Sequence, residues 1–238
     1  MTAVLALTAR QLAGSRRLWL VLALVALPLL GAVLFRVAES TTPSDEFADG
    51  ITATLVAAGI LPLVTLLFGT SAFGNEIGDR TLGYLVLKPV PRWRIAVPKW
   101  AATVLVGGVP VAASGALAVA IIRGGDGSGA AATGAGLLVG AAAYAAVFTW
   151  AGLVSRHALI FGLVYVFIWE AVLAAYLDGI RFLSIRQYTL ALIRGLDDER
   201  LQTLDLSLDA RAGGIGAAIV IVAFSLAAVR KLRHIDVP

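Results

Sequence analysis

Ionisable side chains are rare inside the apolar stretches of this chain, and Glu170 is the one that stands deep within such a stretch, the run Ala158–Leu177. A charged residue there costs roughly 2.5–3.5 kcal/mol on insertion scales and ordinarily faces a cavity or a partner. One reading makes Glu170 a polar contact on a path through a membrane, or a pin for its own helix. The other places it near the headgroups, hydrated, with Asp178 close behind. Its neighbour Trp169 suits either a hydrophobic path or plain packing.

Enzymatic chemistry finds few candidates. The chain has no cysteine, which removes disulfides, thiolate metal sites and cysteine nucleophiles. His157 and His234 are too few for a histidine-built metal centre, and neither accompanies a Gly-x-Ser-x-Gly elbow. The glycine-rich stretch Gly124–Gly129 lacks the lysine with which a phosphate-binding loop reaches terminal phosphates, so it reads as a flexible turn. No carboxylates pair at helical spacing within an apolar run. A hydrolase and a metal-dependent transferase are both disfavoured.

The polar stretch Gly74–Lys99 is different in kind. Asn75 has the chemistry of an N-cap, and Glu76 would sit at a helix start, where the dipole favours an anion. Arg80 follows four residues on, in the favourable order for an ion pair. Ile77, Thr81, Tyr84, Leu85 and Lys88 fall on one helical face. Pro89 and Pro91 stop such a helix, and Arg92, Trp93 and Arg94 suit the headgroup level. The expectation is a short polar helix closed by prolines and anchored to the membrane by Lys88, Pro89, Arg92 and Trp93.

The elements that would position these residues follow from composition. Of 238 residues, 59% are hydrophobic and 14% charged, against about 45–50% and about 25% in soluble domains; the mean hydropathy is +0.90. The apolar residues gather in runs near the roughly 20 residues that span a bilayer. Six such runs occur, at 18–38, 51–73, 95–122, 131–154, 158–177 and 212–229. The expected fold is therefore an all-α polytopic membrane protein with a single transmembrane domain over residues 1–238. A soluble enzyme, a disordered chain and a fibrous repeat are excluded. The first run reads as a span and not as a cleaved leader. Pro28, Pro62 and Pro110 interrupt the first three runs, as hinges or as static kinks. Gly136 with Gly140, and Ser114 with Ala118, form small-residue pairs suited to close helix packing.

The net charge of +4 and pI near 9.8 would suggest nucleic acid in a soluble protein. Here the charges sort by side, and no nucleic acid partner is expected. Arg10, Arg16, Arg17, Arg80, Lys88, Arg92, Arg94, Lys99, Arg156, Arg230, Lys231 and Arg233 fall on one side, while Glu39, Asp45, Glu46 and Asp49 fall in the first loop of the other. Basic residues mark the cytoplasmic side, so both termini are expected there. Two further segments are more than turns. Thr2–Arg17 reads as an interfacial amphipathic helix or as a frayed basic terminus. Asp178–Arg211 is too long for a bare connection; its stripe of Ile185, Tyr188, Thr189, Leu192, Ile193 and Leu196 predicts an amphipathic helix on the outer membrane face. Asp197, Asp198 and Glu199 read as a solvated turn in preference to a cation site.

The stretch from Glu76-Ile-Gly-Asp-Arg-Thr-Leu-Gly-Tyr-Leu through Lys88-Pro-Val-Pro-Arg92 to Lys99 resembles the permease subunits of type-2 ATP-binding cassette exporters. The whole layout is similar too: an interfacial amino-terminal helix, six spans, and a long outer loop before the last. Phe167-Ile-Trp-Glu170 is also familiar from such permeases, whereas Gly83 after Leu82 departs from the pattern and loosens a helix by roughly 1 kcal/mol. The resemblance implies that the helix between spans two and three couples to a separate ATPase. Glu76, Asp79 and Arg80 would then face the ATPase, while Ile77, Thr81, Leu82 and Leu85 complete the coupling element. It further implies a second copy of the permease or a related one, a plasma membrane of a bacterium or archaeon, and no cofactor on this chain, with ATP and magnesium held by the partner. A self-contained carrier or channel is the alternative, although no inverted repeat of the kind carriers show is evident.

Overall fold

The computed structural model describes residues 2–14, 17–38, 42–78, 91–155, 157–168, 183–202, 206 and 208–234. Regular structure among them is helical throughout, as a lipid-embedded backbone requires, since each N–H and C=O must be satisfied within its own segment. Among the described residues, five helices are long and apolar enough to cross a membrane. The first two helices are α1 (Thr2–Ala13) and the spanning α2 (Arg17–Val37). The second span is continuous: α3 (Ser44–Gly50), a π-wound stretch Ile51–Ile60, then α4 (Leu61–Gly78). The third is built likewise from α5 (Trp93–Thr103), a π-wound Val104–Gly108 and α6 (Val109–Ile122). The fourth is α7 (Gly127–Val154). After it come the shorter α8 (Ala158–Val164) and α9 (Ile185–Leu196), and the last span is α10 (Ala210–Arg233). Of the expected run 158–177, apolar helix is described over Ala158–Ile168, and the rest lies outside the described residues.

α7 is the hub, in contact with α4, α6, α9 and α10. Small residues let its neighbours close in: a Cβ on Gly69 would come within 2.8 Å of Phe148, and one on Gly152 within 2.6 Å of the Thr70 backbone. Several buried hydroxyls are satisfied inside their own helices, with Thr65 donating to Leu61 O at 2.7 Å and Thr70 to Leu66 O at 2.7 Å. One end of the bundle, called proximal below, carries both termini. There Ala228 and Leu232 of α10 pack with Phe73, Ile95 and Leu153, and α1 lies against α5 with Thr8 and Leu12 buried. The opposite end is called distal.

The three prolines have separate accounts. Pro62 and Pro110 each stand in the first turn of an α-helix that directly follows a π-wound stretch. In a continuous helical rod each proline withholds one N–H from the preceding turn, and the wider π-wound stretch moves the carbonyls its ring would strike. Pro28 is interior to α2 and has no N–H to return to Leu24; one residue along, Ser114 donates to the Val25 carbonyl at 2.5 Å, so α6 braces the interrupted ladder.

Two expectations are corrected. Asn75 does not stand at a helix start: α4 continues unbroken to Gly78, so Asn75 and Glu76 belong to its last turn. Second, the helix of the 178–211 connection does not lie on the membrane face but inside the bundle. A Cβ on Gly140 would strike Thr189 of α9, and one on Gly136 would strike Ile193. Gly140 lies thirteen residues into α7, which at about 1.5 Å per residue is roughly 20 Å from its distal start. α9 therefore packs in the groove that Gly136 and Gly140 leave on α7, where Gly140 also meets Leu61 of α4. Gly213 and Gly216 of α10 close on Tyr188 from the other side.

Candidate functional site: a buried ion pair and a distal charge network

The proximal site is built on Lys99 of α5. Pro91 ends the preceding stretch, and its carbonyl accepts from Arg94 N at 2.9 Å as the first turn of α5 forms. Trp93 remains 44% exposed, with the Arg94 guanidinium 5.4 Å from its ring centroid, an arrangement suited to headgroups. Six residues beyond Trp93, Lys99 is 1% exposed. A buried ammonium persists only with partners, and three are supplied by the end of α4. Its Nζ donates to Glu76 Oε1 at 2.7 Å and to the Ala72 carbonyl, and it lies 4.7 Å from the Phe73 ring centroid.

This arrangement answers a problem posed by α4 itself. A glutamate in a helix's last turn faces the negative end of the dipole. Lys99 places a cation at that end, bonding both a terminal carbonyl and the carboxylate. On the other edge of α5, Trp100 Nε1 donates to Ala142 O at 2.9 Å, so α5 is fastened to α4 and α7 together. Ile77 packs on the cluster of Phe73, Ile95, Leu153 and Leu232. Of the residues anticipated for coupling and anchoring, Glu76, Ile77, Arg92 and Trp93 are thus placed at the proximal end. Asp79, Arg80, Thr81, Leu82, Leu85, Lys88 and Pro89 lie outside the described residues, as do Trp169 and Glu170.

The distal end holds charged residues that sequence reading left as loop acids and solvated turns. Arg200 is fully buried; its Nη1 stands 2.6 Å from Asp49 Oδ1, and its Nη2 donates to Thr52 Oγ1 at 3.1 Å. Asp49 Oδ2 accepts from the N–H of Leu201 at 3.0 Å, and Leu201 sits at φ 58°, the left-handed region. Burial pushes the Arg200 guanidinium below its usual pKa, against the pull of the Asp49 carboxylate. Nearby, Arg123 reaches three carboxylates: Asp45 at 2.9 Å, Asp126 at 2.6 Å and Glu199 at 3.4 Å. Asp126 caps α7, accepting from Gly129 N at 3.1 Å and Ser128 Oγ at 2.8 Å. Those two bonds hold its carboxyl below the usual carboxylate range. The glycine-rich turn is thus a helix entry, with Gly124 and Gly125 at φ 70° and 99°. No local spacing could have announced the Asp49 contacts, because the Asp49–Leu201 bond closes a separation of 152 residues.

A bundle of long apolar helices, with the buried Lys99 paired to Glu76 inside it, defines a multi-pass membrane protein. A family model described as ABC-2 family transporter protein matches residues 15–177, and the chain belongs to that family. It is therefore a membrane component of an ABC transporter, which sets aside the self-contained carrier or channel. A search of curated proteins found no significant match.

Proposed function

We propose that this chain is the permease of an exporter powered by separate ATPase subunits, which hold the ATP and magnesium, and that it works with a second copy of itself or a related permease. The observation that carries this reading is the Glu76–Lys99 pair. Residues 79–90 depart from the last turn of α4, and the pair fastens that turn to α5. A displacement of the departing segment therefore reaches two spans at once. On this reading Asp79 and Arg80 make the charged ATPase contacts, and Thr81, Leu82 and Leu85 seat the coupling helix. Lys88, Pro89, Arg92 and Trp93 return it to the headgroups. Glu76 acts through Lys99, and Ile77 acts through the proximal apolar cluster.

Sidedness is supported by Arg92, Arg94, Arg230, Lys231 and Arg233, all at the proximal end, which makes that end cytoplasmic. The setting is the plasma membrane of a bacterium or archaeon. Six passages follow if residues 169–177 complete the fifth, with Trp169 and Glu170 as a path contact or a pin. A path poor in charge favours hydrophobic or amphiphilic cargo. Co-expression with the neighbouring ABC ATPase tests the core of the proposal. A stable complex is expected, and Asp79→Ala with Arg80→Ala should abolish stimulation of ATP hydrolysis while membrane insertion stays normal. If no complex forms, the proposal fails; if stimulation survives the double change, segment 79–90 is not the coupling element.

A further inference from the structure

α9 carries two polar side chains deep into the bundle, and its depth follows from two contacts. A Cβ on Gly140 would strike Thr189 and come within 3.1 Å of Leu61, and Leu61 stands near the middle of the span Ser44–Gly74. Gly140 also precedes Leu153 by thirteen residues, or roughly 20 Å of helix. Leu153 packs with Ile95, two residues from the headgroup-level Trp93. In a hydrocarbon core of about 30 Å, Thr189 is therefore well inside the apolar zone. α9 runs antiparallel to α7, since Ile193 meets Gly136 and Thr189 meets Gly140. The residues before Thr189 thus lie nearer the midplane, and they include Arg186 and Gln187. An arginine at that depth is costly and ordinarily has a carboxylate beside it. Lys99 has Glu76 and Arg200 has Asp49. The first turn of α9 carries no acidic residue, and a helix start, already positive, gains nothing from a cation. Both side chains are half-buried, and Arg186 Nε and Gln187 Oε1 are enclosed without a hydrogen-bond partner among the described residues.

We propose that Arg186 and Gln187 recognise the head of an anionic amphiphile that also carries a hydroxyl, such as a phosphoglycerol ester. An enclosed donor and an enclosed acceptor, both unserved, call for a ligand that brings an anionic oxygen and a donor together. The anionic oxygen takes the Arg186 guanidinium, and the hydroxyl donates to Gln187 Oε1. The apolar zone around them suits the chain of such a molecule and disfavours a free ion. Arg186 and Gln187 both lie beyond the family-matched residues 15–177, so this recognition belongs to the carboxy-terminal part of the chain. The inference gives the cargo a charge and rests on the export reading above. Binding is measured without the ATPase, so the two can fail separately.

The full chain in phosphatidylcholine nanodiscs is titrated with dansyl amphiphiles of one chain length bearing phosphoglycerol, neutral glycerol or trimethylammonium heads. Saturable energy transfer from tryptophan reads binding. The phosphoglycerol probe should bind about tenfold more tightly than the other two, and Arg186→Gln should remove that margin, the scale of one charged hydrogen bond. Arg186→Lys should keep part of it. Arg194→Gln, eight residues on in the same helix, should leave it unchanged, and excess inorganic phosphate should not displace the probe. Equal binding of the three probes by the parent would overturn the proposal, as would an equal loss in Arg194→Gln or displacement by phosphate alone. Thermal unfolding tests for a counter-charge within the chain. Arg186→Gln should be no less stable than the parent, because it removes an unpaired charge. If it is destabilised, and adding Glu170→Gln or Asp178→Asn restores it, Arg186 serves an internal ion pair and the proposal falls.

Discussion

Lys99 is the residue on which the proximal end depends, because a buried ammonium has no neutral choice of surroundings. Changing Lys99 to Met leaves the Glu76 carboxylate part-buried at the negative end of α4, and breaking a buried pair in this way costs about 3–5 kcal/mol. Adding Glu76→Gln removes the stranded charge. Thermal unfolding in detergent should therefore show a marked loss for Lys99→Met and recovery of most of it in the double variant. If the double variant is as unstable as the single, the damage comes from lost packing around the lysine stem and not from charge. Both residues stood in the polar segment read from sequence, but their pairing did not. Helix continuity through Asn75 decides which way Glu76 faces, and an asparagine one residue before a glutamate looks the same whether it caps a helix or sits in its last turn.

At the scale of elements, the apolar runs were legible because a bilayer imposes one length and one composition on a span. Runs 18–38, 95–122 and 212–229 correspond to helices Arg17–Val37, Trp93–Ile122 and Ala210–Arg233 within a few residues. The depth of α9 was not legible, because it is set by two glycines on another helix. Its apolar stripe would serve equally on a membrane surface or within a bundle. Only the clearance at Gly136 and Gly140, where a Cβ would collide with Ile193 and Thr189, selects the interior. Gly140→Val should therefore displace α9 from α7 while leaving the span count unchanged. The expected readout is faster amide hydrogen exchange over residues 185–196, with α4 and α7 still protected. Unaltered exchange in α9 would mean that the groove tolerates a branched side chain and that the close approach does not hold α9 in place.

For the whole molecule, the question is where cargo would pass. The interior between α4, α6 and α7 is closed by contacts that leave no room for a Cβ: Gly108 against Ala141, Gly115 against Leu137, Gly69 against Phe148. A path through one copy would have to part all three. The uncovered apolar faces lie elsewhere. On α2, Leu30 and Leu34 are 56% and 66% exposed, and on α10, Ile219 is 61% exposed. Composition cannot tell a lipid-facing leucine from one facing a partner, since lipid tails are as apolar as either. Ordinary helix interfaces in membranes gain from small residues or interhelical hydrogen bonds, and α2 already offers its one internal proline and the Ser114 brace on the side turned toward α6. If two copies of the permease meet along the first span, Leu34→Cys should cross-link copy to copy with a short bifunctional thiol reagent in native membranes. Ile219→Cys should not. Cross-linking at Ile219→Cys alone would place the partner against α10 in place of α2.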